Sequence, residues 1–376
     1  MSELLSLFLV LFLVYLLQCI AAAPASSVVF LLNHRLRGRI LRHSWNVGPF
    51  QNRLYLLNPF WPLTGALYVD SFPFRIHRDA GGEFLGLQPV SLAPSESPKN
   101  LLSFDVPHKI VCRDNQVLID GQPLLSLRSE MIAKNITTLL VKVQDSPQWK
   151  RSSILDAELN KMFSLESIEH RLQQYSDSAA SLHAACFSLF LFLFFLGPLL
   201  IYFLGLRHLW LGLFLYLVLS SCLILWLFRR SYRELYPVAS GGYWQQMFTI
   251  ALSPFAAVRA NDALLTNLLS RFHPLAVARR ILPETEFLKF AGAELRKAKF
   301  LSADANLLQF LTEFLARQKV DIKSLLGPPH PENPRSLSFC PVCLTQYVID
   351  AGVCQDCDNV ALCAFAEEPR DVASTK

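Results

Sequence analysis

Charge is scarce in this chain. Asp, Glu, Lys and Arg make up 17% of 376 residues, where soluble domains carry about a quarter. Apolar residues reach 52%, with 28 Phe. A disordered chain is excluded, because such chains are poor in apolar residues. An ordinary soluble protein fits poorly, and a membrane protein with sizeable polar parts fits best. The usual catalytic signatures are also missing. The sequence contains no Gly-x4-Gly-Lys-Ser/Thr phosphate loop, no Gly-x-Gly-x-x-Gly, no His-Glu-x-x-His and no Gly-x-Ser-x-Gly. The nine histidines are dispersed, with no pair at ligand spacing on a clear helix. They read as surface or interface side chains. His183 and His208 flank an apolar span, and headgroup contact is the reading for both. Asp105, Asp114 and Asp120 fall near turns, where Asp bonds its own backbone. No repeat of 20–50 residues is present.

Basic residues exceed acidic ones by only 35 to 30. No basic run is interleaved with aromatics, so nucleic acid is not an expected partner. The placement of the arginines says more. Arg35, Arg37, Arg39 and Arg42 follow the first apolar stretch, and Arg229, Arg230 and Arg233 follow a later one. Basic flanks stay in the cytoplasm.

The first apolar stretch runs from Leu4 to Leu32. It reads as an N-terminal anchor over residues 1–32, with its start outside and its arginines inside. A signal peptide cleaved near Ala23-Pro24-Ala25 is the other reading. The start lacks Lys and Arg, which favours the anchor. Residues 44–146 alternate apolar and polar in short blocks between Gly, Pro and Asn, the pattern of a β-rich domain. Strands are predicted at Arg53–Leu57, Ala66–Val69, Phe72–Ile76, Glu83–Leu87, Leu101–Val106, Lys109–Cys112, Gln116–Ile119 and Ile136–Val143. Ala80-Gly81-Gly82 and 92–100 read as loops. The aromatic group Trp45, Phe50, Tyr55, Phe60 and Trp61, with Pro49, Pro59 and Pro62, reads as part of this domain's core. An amphipathic helix is expected over 152–182.

Residues 184–228 carry only Arg207 and His208 as titratable side chains other than Cys and Tyr. One helix of that length would run about 68 Å, more than twice a hydrocarbon core of ~30 Å. The segment therefore reads as a two-helix transmembrane hairpin, 184–204 and 209–228, turning at Gly205-Leu206-Arg207-His208. Backbone groups in lipid have no water partners, so both spans must be helical. Gly197-Pro198 is expected to kink the first. Residues 229–326 read as an α-helical region with helices at Tyr243–Leu252, Ala256–Phe272 and Glu284–Phe300. A further helix is capped by Ser302, with an apolar stripe at Leu307, Leu308, Leu311, Phe314 and Leu315. A Pro-rich link at 327–334 leads to the tail.

Five of the nine cysteines lie in the last 37 residues. Cys340-Pro-Val-Cys343 and Cys354-Gln-Asp-Cys357 supply four thiolates from two Cys-x2-Cys knuckles. A two-residue gap lets both sulfurs of a knuckle face one ion, and four sulfurs complete a tetrahedral zinc site. The scattered Cys19, Cys112, Cys186 and Cys222 read as small apolar residues. Cys363 reads as a buried spare. Residues 335–366 resemble a bacterial zinc ribbon of the four-Cys type: Cys-Pro-x-Cys, Tyr347 four residues on, Cys-x-Asp-Cys, then Leu362. The family often has Gly after each second Cys, where this chain has Leu344 and Asp358. The resemblance covers the tail alone and implies structural zinc and no activity. Iron is the alternative metal, since four thiolates can also hold it.

The expected protein is thus a multi-domain membrane protein of bacterial inner-membrane type. An anchor, a β-rich domain, a helical hairpin, a helical region and a zinc ribbon follow one another. The β domain and C-terminus are expected in the cytoplasm. The expected role is scaffolding or regulation, with the lipid bilayer and another protein as partners. Electron transfer at an iron site, or an enzyme site in the β domain without a motif, are the other readings.

Overall fold

The structure is a computed structural model. It describes residues 2–24, 27–33, 35–40, 44–46, 52–56, 64–79, 81–89, 101–236, 242–301, 305–357 and 359–365. The chain divides into two compact units, Met1–Phe72 with Phe104–Ile281, and Pro73–Ser103 with Leu282–Lys376. The stretch 44–146, expected as one domain, is shared between them.

Helix α1 (Ser2–Gln18) is followed by strands β1 (Ile20–Pro24), β2 (Ser27–Asn33), β3 (Gly38–Ile40), β4 (Ser44–Asn46), β5 (Asn52–Leu56) and β6 (Thr64–Asp70). Two antiparallel sheets result, ordered β3–β2–β6 and β1–β5–β4. The apolar stretch Leu4–Leu32 is therefore not one membrane element. Strand β2 is largely buried and β6 entirely so. A strand covered on both faces is apolar at every position and imitates a spanning segment.

A hairpin follows, β7 (Phe74–Arg78) and β8 (Phe84–Pro89). Next comes the meander β9 (Ile110–Arg113), β10 (Gln116–Ile119) and β11 (Gln122–Ser126). Asp114 and Asp120–Gly121 make its turns, all with positive φ. Leu101–Val106 is not a strand; Leu102 makes a single bridge to Leu87.

The predicted strand Ile136–Val143 lies inside helix α2 (Glu130–Gln144). Its β-branched residues gave a strand-like pattern. Ser129 caps the helix by accepting the Ile132 N–H. Ile132, Ala133, Leu139, Leu140 and Val143 then fall on one buried face.

The expected 152–182 helix breaks at Phe163 into α3 (Gln148–Met162) and α4 (Leu165–Leu191), because Ser164 caps α4. Helix α4 continues through a π-helical turn (Phe192–Leu196) into α5 (Gly197–Leu204). Pro198 has no N–H to give to Phe194, and its ring crowds that carbonyl. The ladder shifts accordingly, and the Gly197 N–H bonds Phe192 O. The chain reverses at Gly205, whose φ of 77° suits glycine. Helix α6 (Leu206–Leu235) then returns antiparallel. The two helices 165–204 and 209–235 are each long and apolar enough to cross a membrane. Phe192 packs on Tyr216 with ring centroids 3.8 Å apart, and Ser231 donates to Ser178 O at 2.6 Å.

The helical region contains α7 (Tyr243–Leu252), α8 (Pro254–Val258), α9 (Ala260–Leu265) and α10 (Pro274–Ile281). After it come α11 (Glu284–Phe300), α12 (Ala305–Arg317) and α13 (Ile322–Leu326). The expected Ala256–Phe272 helix breaks at Arg259, which leaves the helical region of backbone space. The break lets buried Arg259 meet Asp262 at 2.5 Å, while Asp262 accepts the Ala66 N–H at 2.8 Å. The tail forms five two-residue strands, β12 (Ser338–Phe339), β13 (Gln346–Tyr347), β14 (Val353–Cys354), β15 (Val360–Ala361) and β16 (Cys363–Ala364). They pair as β13–β12–β16 and β14–β15. Ser302, the loop at 92–100, Ala80, His34, Arg42, His43 and Asp358 lie outside the described residues. So do the side chains of His208 and of the aromatic group Trp45, Phe50, Tyr55, Phe60 and Trp61, and the prolines 49, 59 and 62.

Candidate metal centre

The two cysteine knuckles are built alike. In the first, the Leu344 N–H bonds Cys340 O and the Cys340 N–H bonds Thr345 O, both at 2.9 Å. Closing this turn requires a left-handed residue, and Leu344 takes it with φ 63°. In the second, a short 3-10 turn (Gln355–Cys357) carries the cysteines, and the Asn359 N–H bonds Cys354 O at 3.1 Å. Asn359 is left-handed, with φ 59°. The conformation that favours Gly is therefore present in both knuckles, filled by Leu and by Asn. Asn tolerates it better, since its short polar side chain can bond locally.

Strand pairing brings the knuckles together. The Sγ atoms of Cys340, Cys343, Cys354 and Cys357 all lie within 4.8 Å of one another. Cys343 and Cys354 Sγ are 3.7 Å apart. A tetrahedral ion with bonds near 2.3 Å needs an edge of about 3.8 Å. The four residues predicted from spacing are thus gathered into one group that could hold a metal ion. Cys340, Cys354 and Cys357 are buried, and Cys343 is exposed. Cys363, expected to be buried, is half-buried on β16 and stands outside the group. Of the scattered cysteines, Cys19 and Cys186 are buried, Cys112 is half-buried and Cys222 is exposed.

Neighbouring groups tune the sulfurs. The Tyr347 hydroxyl donates to Cys354 Sγ at 3.2 Å. Thr345 Oγ1 lies 3.1 Å from Cys343 Sγ. Burial works against the Cys354 thiolate, but hydrogen bonds from Tyr347, Cys340 and Cys343 outweigh it and draw this thiol down to about 7. Burial pushes Cys340 up to about 11 and Cys357 higher still. The Cys354 thiol is therefore ready to ionise near neutral pH, and thiolate is the ligating form.

Sequence reasoning passed over what holds this site in place. Phe300, the last residue of α11, is buried with Cys340, Val342, Cys354 and Cys357, and Tyr347, Val360 and Leu362 pack around them. Arg296, one turn earlier, donates from Nε to Val342 O at 3.2 Å and from Nη1 to Leu325 O at 2.8 Å. It also attracts Cys343 electrostatically. Four thiolates around a divalent ion carry a net charge of −2, and a nearby guanidinium offsets part of it. The signal was present in the apolar face of α11, but nothing local linked it to the tail.

His77, His170 and His330 are exposed, as expected, and two histidines diverge. His183 is buried, with Nε2 2.7 Å from the Tyr175 hydroxyl, which donates to Asn261 Oδ1 at 2.6 Å. His273 is buried too, stacks on Phe163 and accepts the Leu275 N–H. Both serve packing within the helical body. His108 bonds Asp120 at 2.7 Å on an exposed turn. The carboxylate of Asp120, pulled down chiefly by that bond, also accepts the Lys109 N–H.

No protein-family model, no curated protein and no solved structure matches the chain.

Proposed function

We propose that this is an integral membrane protein that scaffolds or regulates a membrane-bound assembly. Its tail is a zinc ribbon of structural type that docks a protein partner. The observation that carries the reading is the closed set of four sulfurs, locked to α11 by Phe300 and Arg296. Four thiolates fill a tetrahedron and leave no position for water or substrate. Such a site holds structure, and the chemistry it offers is binding energy for folding. Two apolar helices joined at Gly205 form the membrane hairpin. Helix α1 supports it as a third element, since Phe8, Phe12 and Tyr15 all pack on Phe194. The arginines after α6 favour a cytoplasmic side, as at a bacterial inner membrane, and a ribbon on that side would keep its thiols reduced.

The test is metal content and visible absorption of detergent-purified full-length protein, made without added metal. One colourless zinc per chain is expected, lost together with tail protection from proteolysis in the Cys340→Ser, Cys354→Ser double variant. Iron with thiolate charge-transfer bands would replace this reading with electron transfer. Unchanged metal content and protection in the double variant would refute the ribbon.

A further inference from the structure

A second membrane element follows the hairpin. Between Glu234 and Arg259 the sequence has no charged residue, a gap of 24 positions. That gap is too short for two full spans. It is long enough to enter a bilayer halfway and come back.

The packing traces such a path. Helix α7 starts beside the charged end of α6, where the rings of Tyr243 and Tyr232 lie 4.7 Å apart. It ends at Ser253-Pro254. There Phe255 meets Phe194 at 6.1 Å and Tyr15 at 6.3 Å. Phe194 is the midpoint of the apolar run 184–204. The chain then turns back. The Cys186 thiol donates to Ala257 O, the Tyr175 hydroxyl to Asn261, and the Tyr236 hydroxyl to Leu264 O. These contacts step down α4 from Phe194 towards Tyr175 and reach the last turn of α6. Ten residues of helix rise about 15 Å, half of a ~30 Å hydrocarbon core.

The turn meets the rule for backbone at membrane depth. The Ser253 N–H bonds Thr249 O, the Ala257 N–H bonds Ser253 O, and Ser253 Oγ caps the Ala256 N–H. Thr249, exposed on α7, gives its hydroxyl to Gln245 O. Charge resumes only at Arg259, buried and paired with Asp262. Trp244, Phe248 and Leu252 recur every fourth residue and are 79%, 65% and 68% exposed. Water is a poor neighbour for such a stripe. On α6, Leu219, Leu223 and Trp226 are likewise exposed.

We propose that residues 243–258 form a re-entrant helical hairpin, in which Trp244, Phe248 and Leu252 face the hydrocarbon of the bilayer. This rests on the membrane reading above. The test uses full-length protein in phosphatidylcholine vesicles brominated either near the headgroup or near the chain ends. Emission of the Leu252→Trp and Phe248→Trp variants is measured, and the wild-type signal is subtracted. Residue 252 should lose more emission to chain-end bromines than to headgroup bromines, and aqueous iodide should leave it unchanged. Trp244, isolated through Trp244→Phe, should show the opposite depth preference. Trp226, isolated through Trp226→Phe, reports the hairpin separately. Iodide quenching at 248 and 252 with lipid quenching at 226 refutes the re-entrant element and leaves the spans standing. Protection of 248 and 252 from both quenchers refutes it in favour of a covering protein surface. Iodide quenching at all three positions refutes the membrane reading itself.

Discussion

Removing one hydroxyl should weaken the metal site in a pH-dependent way. In Tyr347→Phe the only atom lost is the oxygen 3.2 Å from Cys354 Sγ. Cys354 is fully buried and Tyr347 half-buried. The thiol sits at about 7, below its ordinary 9.0, and the Tyr347 bond is the foremost influence lowering it. A depressed thiol contributes folding stability that is fully present above its ordinary value and is lost as pH falls from there through its folded value. Metal binding requires the thiolate. At pH 7 the wild-type thiol is about half ionised, and one returned to 9 is about 1% ionised, a difference of about 50-fold in apparent affinity. At pH 9 the same comparison gives about two-fold. The first figure is an upper bound, because Cys340 and Cys343 still bond Cys354. It agrees with the 10–100-fold that loss of an outer-shell partner costs. Zinc competition against one chromogenic chelator, run on both proteins from pH 6 to 9, measures it. Affinities equal at pH 7, or a gap that does not close by pH 9, would refute the reasoning.

Three further outcomes follow from the packing. Leu344→Val places a β-branched residue at φ 63°, where left-handed strain is about 1–2 kcal/mol; metal should be lost to the chelator sooner, while Leu344→Gly should retain it. Asp262→Ala leaves Arg259 buried without its partner and should cost about 3–5 kcal/mol, read as a lower midpoint of thermal unfolding in detergent, part of which Arg259→Ala in the same chain should restore. Gly65→Ala adds a methyl that collides with Leu265 Cδ1 and lies 2.8 Å from Asn261 Nδ2; overpacking of about 1–3 kcal/mol should lower the same midpoint.

Elements whose signals are local were legible in the sequence. Helices α7 and α11 begin and end where the sequence pattern put them, because Pro254 stops one and Pro283 precedes the other. Strand β10 matches because Asp114 and Gly121 punctuate it. The four metal-site cysteines could be read for the same reason, since each knuckle spans four residues. Misreadings arose where distant partners decide. Strand β2 looked like membrane because the strands that pair with its edges, β3 and β6, lie outside the apolar stretch. Ile136–Val143 looked like strand until Ser129, seven residues upstream, set a helical frame. Arg296 and Phe300 could not be tied to the cysteine group from sequence, since about 40 residues separate them from Cys340 and only tertiary packing closes that distance.

The unbroken helical run from Leu165 to Leu204 has a mechanical consequence. Forty residues make a rod of about 60 Å, and on the proposed topology the bilayer grips only its outer ~30 Å. The remainder is a lever arm with its fulcrum at the membrane surface. Helices tilt to match bilayer thickness, commonly by about 20°. A change of 10° would swing the free end of a 30 Å arm by about 5 Å. Arg280, bonded to Glu169 near that end, would travel with it. On that topology, membrane thickness would become a quantity that this part of the molecule registers as displacement.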